Sequence, residues 1–123
     1  MANIEKNEPF YQISQVSKLI GISSDRLRTY EEEGLIKPYR INKTSTGKRL
    51  YSRNEIEWLE IIRELIKLGV TIPVIRIFIA SKFPLEKSSL FEIDKKIIKL
   101  ILKLQAHPVR LLVKQDFTKI KQL

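Results

Sequence analysis

The side chains best placed to do chemistry in this chain are cations, set first at helical spacing and again beyond a helix break. In the run SDRLRTYEEEGLIKPYRINKTSTGKRLYS, residues 24–52, a helix-forming stretch carries Arg26, Arg28 and Tyr30 and is stopped by Gly34. An extended stretch follows with Lys37, Arg40, Lys43, Lys48 and Arg49, and residues 37–53 hold six Lys or Arg with no Asp or Glu. An arginine bonds two acceptors on the major-groove edge of guanine, or it grips a phosphate. A charged helix beside a charged loop offers two separate grips on a polyanion. That arrangement points to duplex DNA.

Composition agrees and narrows the field. The chain has 123 residues, a net charge of +9 and 43% apolar residues, enough for one compact domain plus an appendage. Such a charge favours nucleic acid or an anionic membrane surface. A Lys- and Ile-rich proteome would account for some of the total but not for the clustering. There is no Cys, which excludes disulfides and thiolate metal ligation. With a single His, His107, beside Pro108, no transition-metal site and no cofactor is expected. No glycine loop cradles a phosphate and no acids pair with a base at motif spacing, so the chain does not read as an enzyme. No apolar run approaches the length of a signal peptide core or a membrane span, and a cytoplasmic protein without membrane partners is expected.

The elements that must position the cations follow from periodicity. Residues 1–10 are polar and expected to be loose. Ile13, Val16, Leu19 and Ile20 line one helix face, Gly21 breaks it, and Ser23 or Ser24 can cap a second helix in which Leu27 and Tyr30 look inward. Two short helices around a glycine turn make a helix-turn-helix. Pro38 disfavours helical geometry at Lys37. Tyr39–Ile41 and Arg49–Tyr51 then read as a hairpin, a wing with Gly47 near its tip. Residues 53–68 return to helix, capped by Ser52 with Glu55, with Ile56, Trp58, Leu59, Ile62, Leu65 and Ile66 as its apolar stripe. Gly69 closes it, and Thr71 can cap a short helix to Ser81 that buries Ile72, Ile75 and Ile79. Phe83-Pro84 reads as a boundary. Beyond it Leu90, Ile93, Ile97, Leu100 and Leu104 are spaced as in a coiled coil for about two heptads. A partner helix and the main domain are equally allowed as what they pack on. Pro108 ends this helix, and the tail suits a helix or a strand.

These residues together resemble the MerR family of bacterial transcription regulators. YQISQVSKLIGIS matches the first helix and turn, LRTYEEEGLIKP the second helix and its exit, GKRLYS the close of the wing, and IRELIKLGVTIPVIRIFI the paired helices that follow. The LRTYE wording resembles the heat-shock and nitrogen-regulator branches more than the metal sensors. The fold implied is mainly α: a winged helix-turn-helix with a short β-hairpin wing over residues 11–82, and a basic C-terminal helix and tail over 83–123. The resemblance implies a sequence-specific transcriptional regulator whose homodimer sets one recognition helix per subunit in successive major grooves of a near-palindromic operator. The family pattern carries over to Ser24, Arg26, Arg28 and Tyr30 on that helix and to Arg40, Lys48, Arg49 and Tyr51 on the wing. The stripe from Leu90 through Ile93, Ile97, Leu100 and Leu104 stands where the family dimerises. Asp25 and Thr29 depart from the pattern, and the NKTST insertion lengthens the wing.

Each of these residues also has a plainer reading. Arg28 can salt-bridge Glu31 or Glu32 instead of meeting DNA. Tyr30 can be a core ring, with or without its hydroxyl on a phosphate, and Tyr51 fits core better than contact. Glu31, Glu32 and Glu33 would repel DNA and are expected on a solvated face at the far end of the helix. Two other functions fit the same charge: an architectural or nucleoid protein, and an adaptor whose basic C-terminal segment binds RNA polymerase or another protein. The chain after residue 105 is short for a ligand-binding domain, so control through partners, abundance or temperature is expected.

Overall fold

The computed structural model describes residues 5–43, 47–80 and 94–114. Its elements run β1 (Tyr11–Gln12), α1 (Ile13–Ile20), α2 (Ser24–Glu32), β2 (Tyr39–Arg40), a 3-10 turn (Ile41–Lys43), β3 (Arg49–Tyr51), α3 (Arg53–Lys67), α4 (Ile72–Ala80) and α5 (Lys95–Ala106). The chain divides into two compact units, residues 1–60 and 61–123, with the division inside α3. The expected boundary at Phe83-Pro84, together with Leu90 and Ile93, lies outside the described residues.

In the first unit, α1 and α2 make the helix-turn-helix. Gly21 takes a left-handed φ of 69° and returns its N–H to the Ser17 carbonyl. Ser23, the nearer of the two candidate caps, accepts from the Arg26 N–H at 3.1 Å. Val16, Ile20, Leu27 and Tyr30 are buried between the helices and their surroundings. Leu19 is not: it is 62% exposed. At about 100° per residue, Leu19 falls well to the side of the face centred on Ile13, Val16 and Ile20.

The hairpin forms as expected, with Arg40 opposite Arg49 and Tyr39 opposite Leu50. A third strand, β1, pairs with the other edge of β3, Tyr11 opposite Tyr51. The described residues before it, 5–10, are tied down rather than loose. Phe10 N–H donates to the Tyr51 carbonyl at 3.1 Å, Asn54 N–H to the Lys6 carbonyl at 3.0 Å, and the Asn54 amide to Asn7 Oδ1. A polar segment satisfies backbone groups at a sheet edge without leaving an apolar pattern to read. The first turn of α3 is closed by a reciprocal capping box. Ser52 Oγ accepts from Glu55 N–H at 3.1 Å, and Glu55 Oε1 accepts from Ser52 N–H at 2.9 Å.

In the second unit, α3 ends in the pattern its glycine foretells. Val70 N–H reaches back to the Leu65 carbonyl, Gly69 N–H to Ile66, and Gly69 has φ 94°. Helices α4 and α5 pack on each other around Ile75, Phe78, Ile79, Ile101 and Leu104, all buried. The carbonyls at the end of α4 are taken by side chains: Gln105 donates to Phe78 and the buried Arg110 Nε donates to Ile79 at 3.0 Å. A cation there also complements the helix dipole. Pro108 ends α5 by holding His107 extended. The chain beyond it, left open between helix and strand, is helical over 110–114.

Burial pushes the Glu55 carboxyl up to about 6, against the opposing hydrogen bonds from Ser52. The folded chain therefore holds this proton more tightly than the unfolded one. Stability from this group is full below about pH 4.5 and is lost as pH rises through about 6, roughly 2 kcal/mol in all. Glu55→Gln keeps an acceptor for the Ser52 N–H and removes the titration. Urea denaturation at pH 4.5 and 6.5 should show the unmodified chain losing about 1.5 kcal/mol relative to the variant.

Candidate nucleic-acid interface

The first turn of α2 puts Ser24 half-exposed and Asp25 and Arg26 in solvent. Among the described residues the Arg26 side chain makes no bond, so its guanidinium is available to a ligand. Arg28 does not reach Glu31 or Glu32. It turns back one turn and donates to Asp25 Oδ1 at 2.8 Å. Thr29 Oγ1 donates to the Asp25 carbonyl at 3.1 Å, a back-bond within the helix. Asp25 is thus the local acid that partly neutralises this turn, and it sits where the helix dipole favours a negative charge.

At the other end of α2 the expectation of a solvated acidic face fails for Glu31. Its carboxylate accepts from Arg40 Nη2 on both oxygens, at 3.1 and 2.9 Å, and from Arg49 Nε on one. Each of the three side chains is only 20% exposed. Arg40 also donates through Nη1 to the Gly47 carbonyl at 3.0 Å, tying down the wing's near edge. Two arginines stand directly opposite each other on paired strands, a juxtaposition that destabilises a hairpin unless something neutralises it. Glu31 does so from a different element. Glu32 and Glu33 are exposed, as expected.

The wing cations are therefore not equivalent. Lys48 and Lys37 are exposed, whereas Arg40 and Arg49 are held. Tyr51 and Tyr30 are core residues. Tyr51 is fully buried, and its hydroxyl has no hydrogen-bond partner among the described residues. Burial pushes its phenol up to about 12, with the Arg49 charge opposing. Tyr30 is 3% exposed. Both rings pack in the core, the plainer of their two readings.

The Leu104 position in the coiled-coil stripe is corrected likewise. Leu104 is fully buried within the single chain, as is Ile101, while Ile97 and Leu100 are half-buried. A stripe position that fills the protomer's own core cannot serve as a free seam. Arginine spacing alone could not disclose Glu31 as a site residue. The available signal was the acid-free basic run at 37–53 next to three consecutive acids.

A family model described as the MerR HTH family regulatory protein matches residues 11–82. The chain is 37% identical over 60 residues to the HTH-type transcriptional regulator AdhR of Bacillus subtilis (strain 168), covering 49% of this chain and 41% of the relative. It is 36% identical over 69 residues to heavy metal-dependent transcription regulator 1 of Rhizobium meliloti (strain 1021), covering 55% and 46%. The second match lends no support to a tilt away from metal sensors. Among the described residues, however, there is no group of three or more His, Cys, Asp or Glu that could hold a metal ion. This chain spans about half the length of these curated relatives. A solved structure titled HiNmlR, a MerR family regulator lacking the sensor domain, bound to promoter DNA, shares the fold with a TM-score of 0.51. Identity there is 22%, with 91% of this chain and 76% of that one covered. Among the described residues no helix is long and apolar enough to cross a membrane.

Tyr51→Phe separates core from contact. Removing a buried hydroxyl that lacks a partner should leave stability unchanged or raise it by up to about 2 kcal/mol in denaturant titration. Duplex affinity should not move.

Proposed function

Because the chain belongs to the MerR HTH family of regulatory proteins, we propose that it is a sequence-specific, DNA-binding transcriptional regulator acting as a homodimer on a near-palindromic operator. The observation that carries this reading is the pairing of an exposed Arg26 on the capped first turn of α2 with a wing bonded to the same helix. Support also comes from relatives described as transcriptional regulators and from the fold neighbour whose title places it on promoter DNA. In this reading α2 lies in the major groove with Arg26 and Ser24 at base edges, and Lys48 grips a flanking phosphate. Two copies would present their α2 helices about 34–36 Å apart. Counterion release would make binding strongly salt dependent.

The roles divide by residue. With an operator selected from a random duplex pool, Arg26→Ala should weaken specific binding by about 1–3 kcal/mol and relax sequence preference. Lys48→Ala should weaken binding to every duplex about equally and reduce the salt slope by about 1. Gel shifts across a salt series that show no loss for either variant would count against the assignment.

We assign dimerisation to the C-terminal unit. Exposed apolar side chains at Ile77, Leu102, Leu111 and Leu112 support a covered surface there, because such groups in number mark interaction sites. Leu104 belongs to the core, so it is a poor probe. Leu102→Asp, on the exposed face of α5, should convert a dimer to a monomer in sedimentation, and a variant that stays dimeric would move the interface off this face of α5.

A further inference from the structure

We propose that Glu31 is the residue that sets how strictly the protein discriminates its operator from other DNA, by holding both wing arginines to the reading helix. The inference rests on α2 and the wing being the DNA-binding surface.

Three observations carry it. One carboxylate serves two guanidiniums: it takes Arg40 on both oxygens and Arg49 on one. Arg40 and Arg49 are cross-strand partners, one on each strand of the wing, so a single acid on α2 restrains both strands at once. Arg40 is further fixed to the Gly47 carbonyl, which extends the restraint toward the wing tip. The Glu31 bonds run from α2 to both strands of the wing. Glu31 is therefore a positioning residue for the wing.

Two consequences follow, with opposite signs for the two kinds of DNA. As an acid on a DNA-binding face, Glu31 lowers the attraction for any duplex and withholds two cations from phosphates. As a tether, it fixes the wing relative to α2, so that base edges and flanking phosphates are met in one register. A specific complex gains from that pre-organisation. A non-specific complex, which needs only charge, does not. Removing the negative charge should thus raise non-specific affinity while specific affinity falls. A residue that merely supports the fold would lower both together.

The test uses the full chain with Glu31→Gln, an operator selected from a random pool, and a scrambled duplex of equal length, each titrated by anisotropy across a KCl series. The expected result is tighter binding to the scrambled duplex with a salt slope steeper by about 1–2, and a specific-to-non-specific ratio reduced at least about fivefold. A proportional loss on both duplexes with an unchanged slope, or no change on either, overturns the proposal. Should Glu31→Gln fail to fold by circular dichroism, Arg40→Lys replaces it. Lysine keeps the charge but loses the two-pronged bond, so the ratio should fall with the slope unchanged, and an unchanged ratio overturns the proposal. Absence of wild-type binding to any duplex at low salt would overturn the DNA reading itself, and this inference with it. In that case hydrogen exchange at residues 39–41 and 49–51, which Glu31→Gln should accelerate, still reports whether the tether exists.

Discussion

Gly34 has to adopt a left-handed conformation for the chain to leave α2 where it does. With φ at 78°, its N–H returns to the Glu31 carbonyl and the Leu35 N–H returns to Tyr30, which closes the helix by the two-bond motif open chiefly to glycine. The turn delivers Leu35 and Ile36 into the core. There the Leu35 carbonyl accepts from the Trp58 indole N–H at 2.7 Å, so the exit is bonded on both sides. Pro38 then keeps Lys37 extended, and two residues later Arg40 meets Glu31. The wing stands next to α2 because backbone geometry and one buried indole leave the connection little freedom. The ion pairs work on strands already brought near.

Charge along the chain and charge in space differ here for the same reason. Residues 37–53 contain no acid, yet two of their six cations face a carboxylate contributed from six residues upstream. Arg28 is likewise matched by Asp25. The cations left exposed on α2 and the wing include Arg26 and Lys48. A net charge of +9 describes long-range attraction to a polyanion. It overstates how many side chains are free to grip one.

Periodicity and punctuation made most of the helices legible. Gly21, Gly34, Gly69, Ser23, Ser52 with Glu55, and Pro108 all act locally, through caps and fixed φ angles, and each ends or starts an element as its type dictates. What stayed hidden depends on pairing at a distance. The strand at Tyr11–Gln12 is two residues long and is defined by its partner on β3. Leu104 reads as a heptad position because its spacing fits, and burial against the protomer's own chain is invisible to spacing. Tyr51 matched a family pattern by type, while its place in the core depends on which face of β3 turns inward. Glu31 reads with its neighbours as a solvated run, since identical residues at adjacent helical positions point about 100° apart and the linear chain does not say which one meets the wing.

That placement of acids runs against the preference of the helix. Carboxylates in the last turn face the negative end of the dipole and cost stability there, whereas Asp25 in the first turn is favoured. α2 has no basic residue in its last turn to compensate. For Glu31 the compensation comes from outside the helix, through Arg40 and Arg49. A local rule broken in this way, with its offset supplied by another element, marks a position kept for what it holds rather than for the helix it sits in. α2 then has two ends with separate duties. Its first turn leaves Arg26 free to touch a ligand, and its last turn, about 7.5 Å further along the axis at Glu31, fastens the wing. Because Arg26 and the carboxylate that fastens the wing sit on one rigid helix, any shift of α2 moves both together.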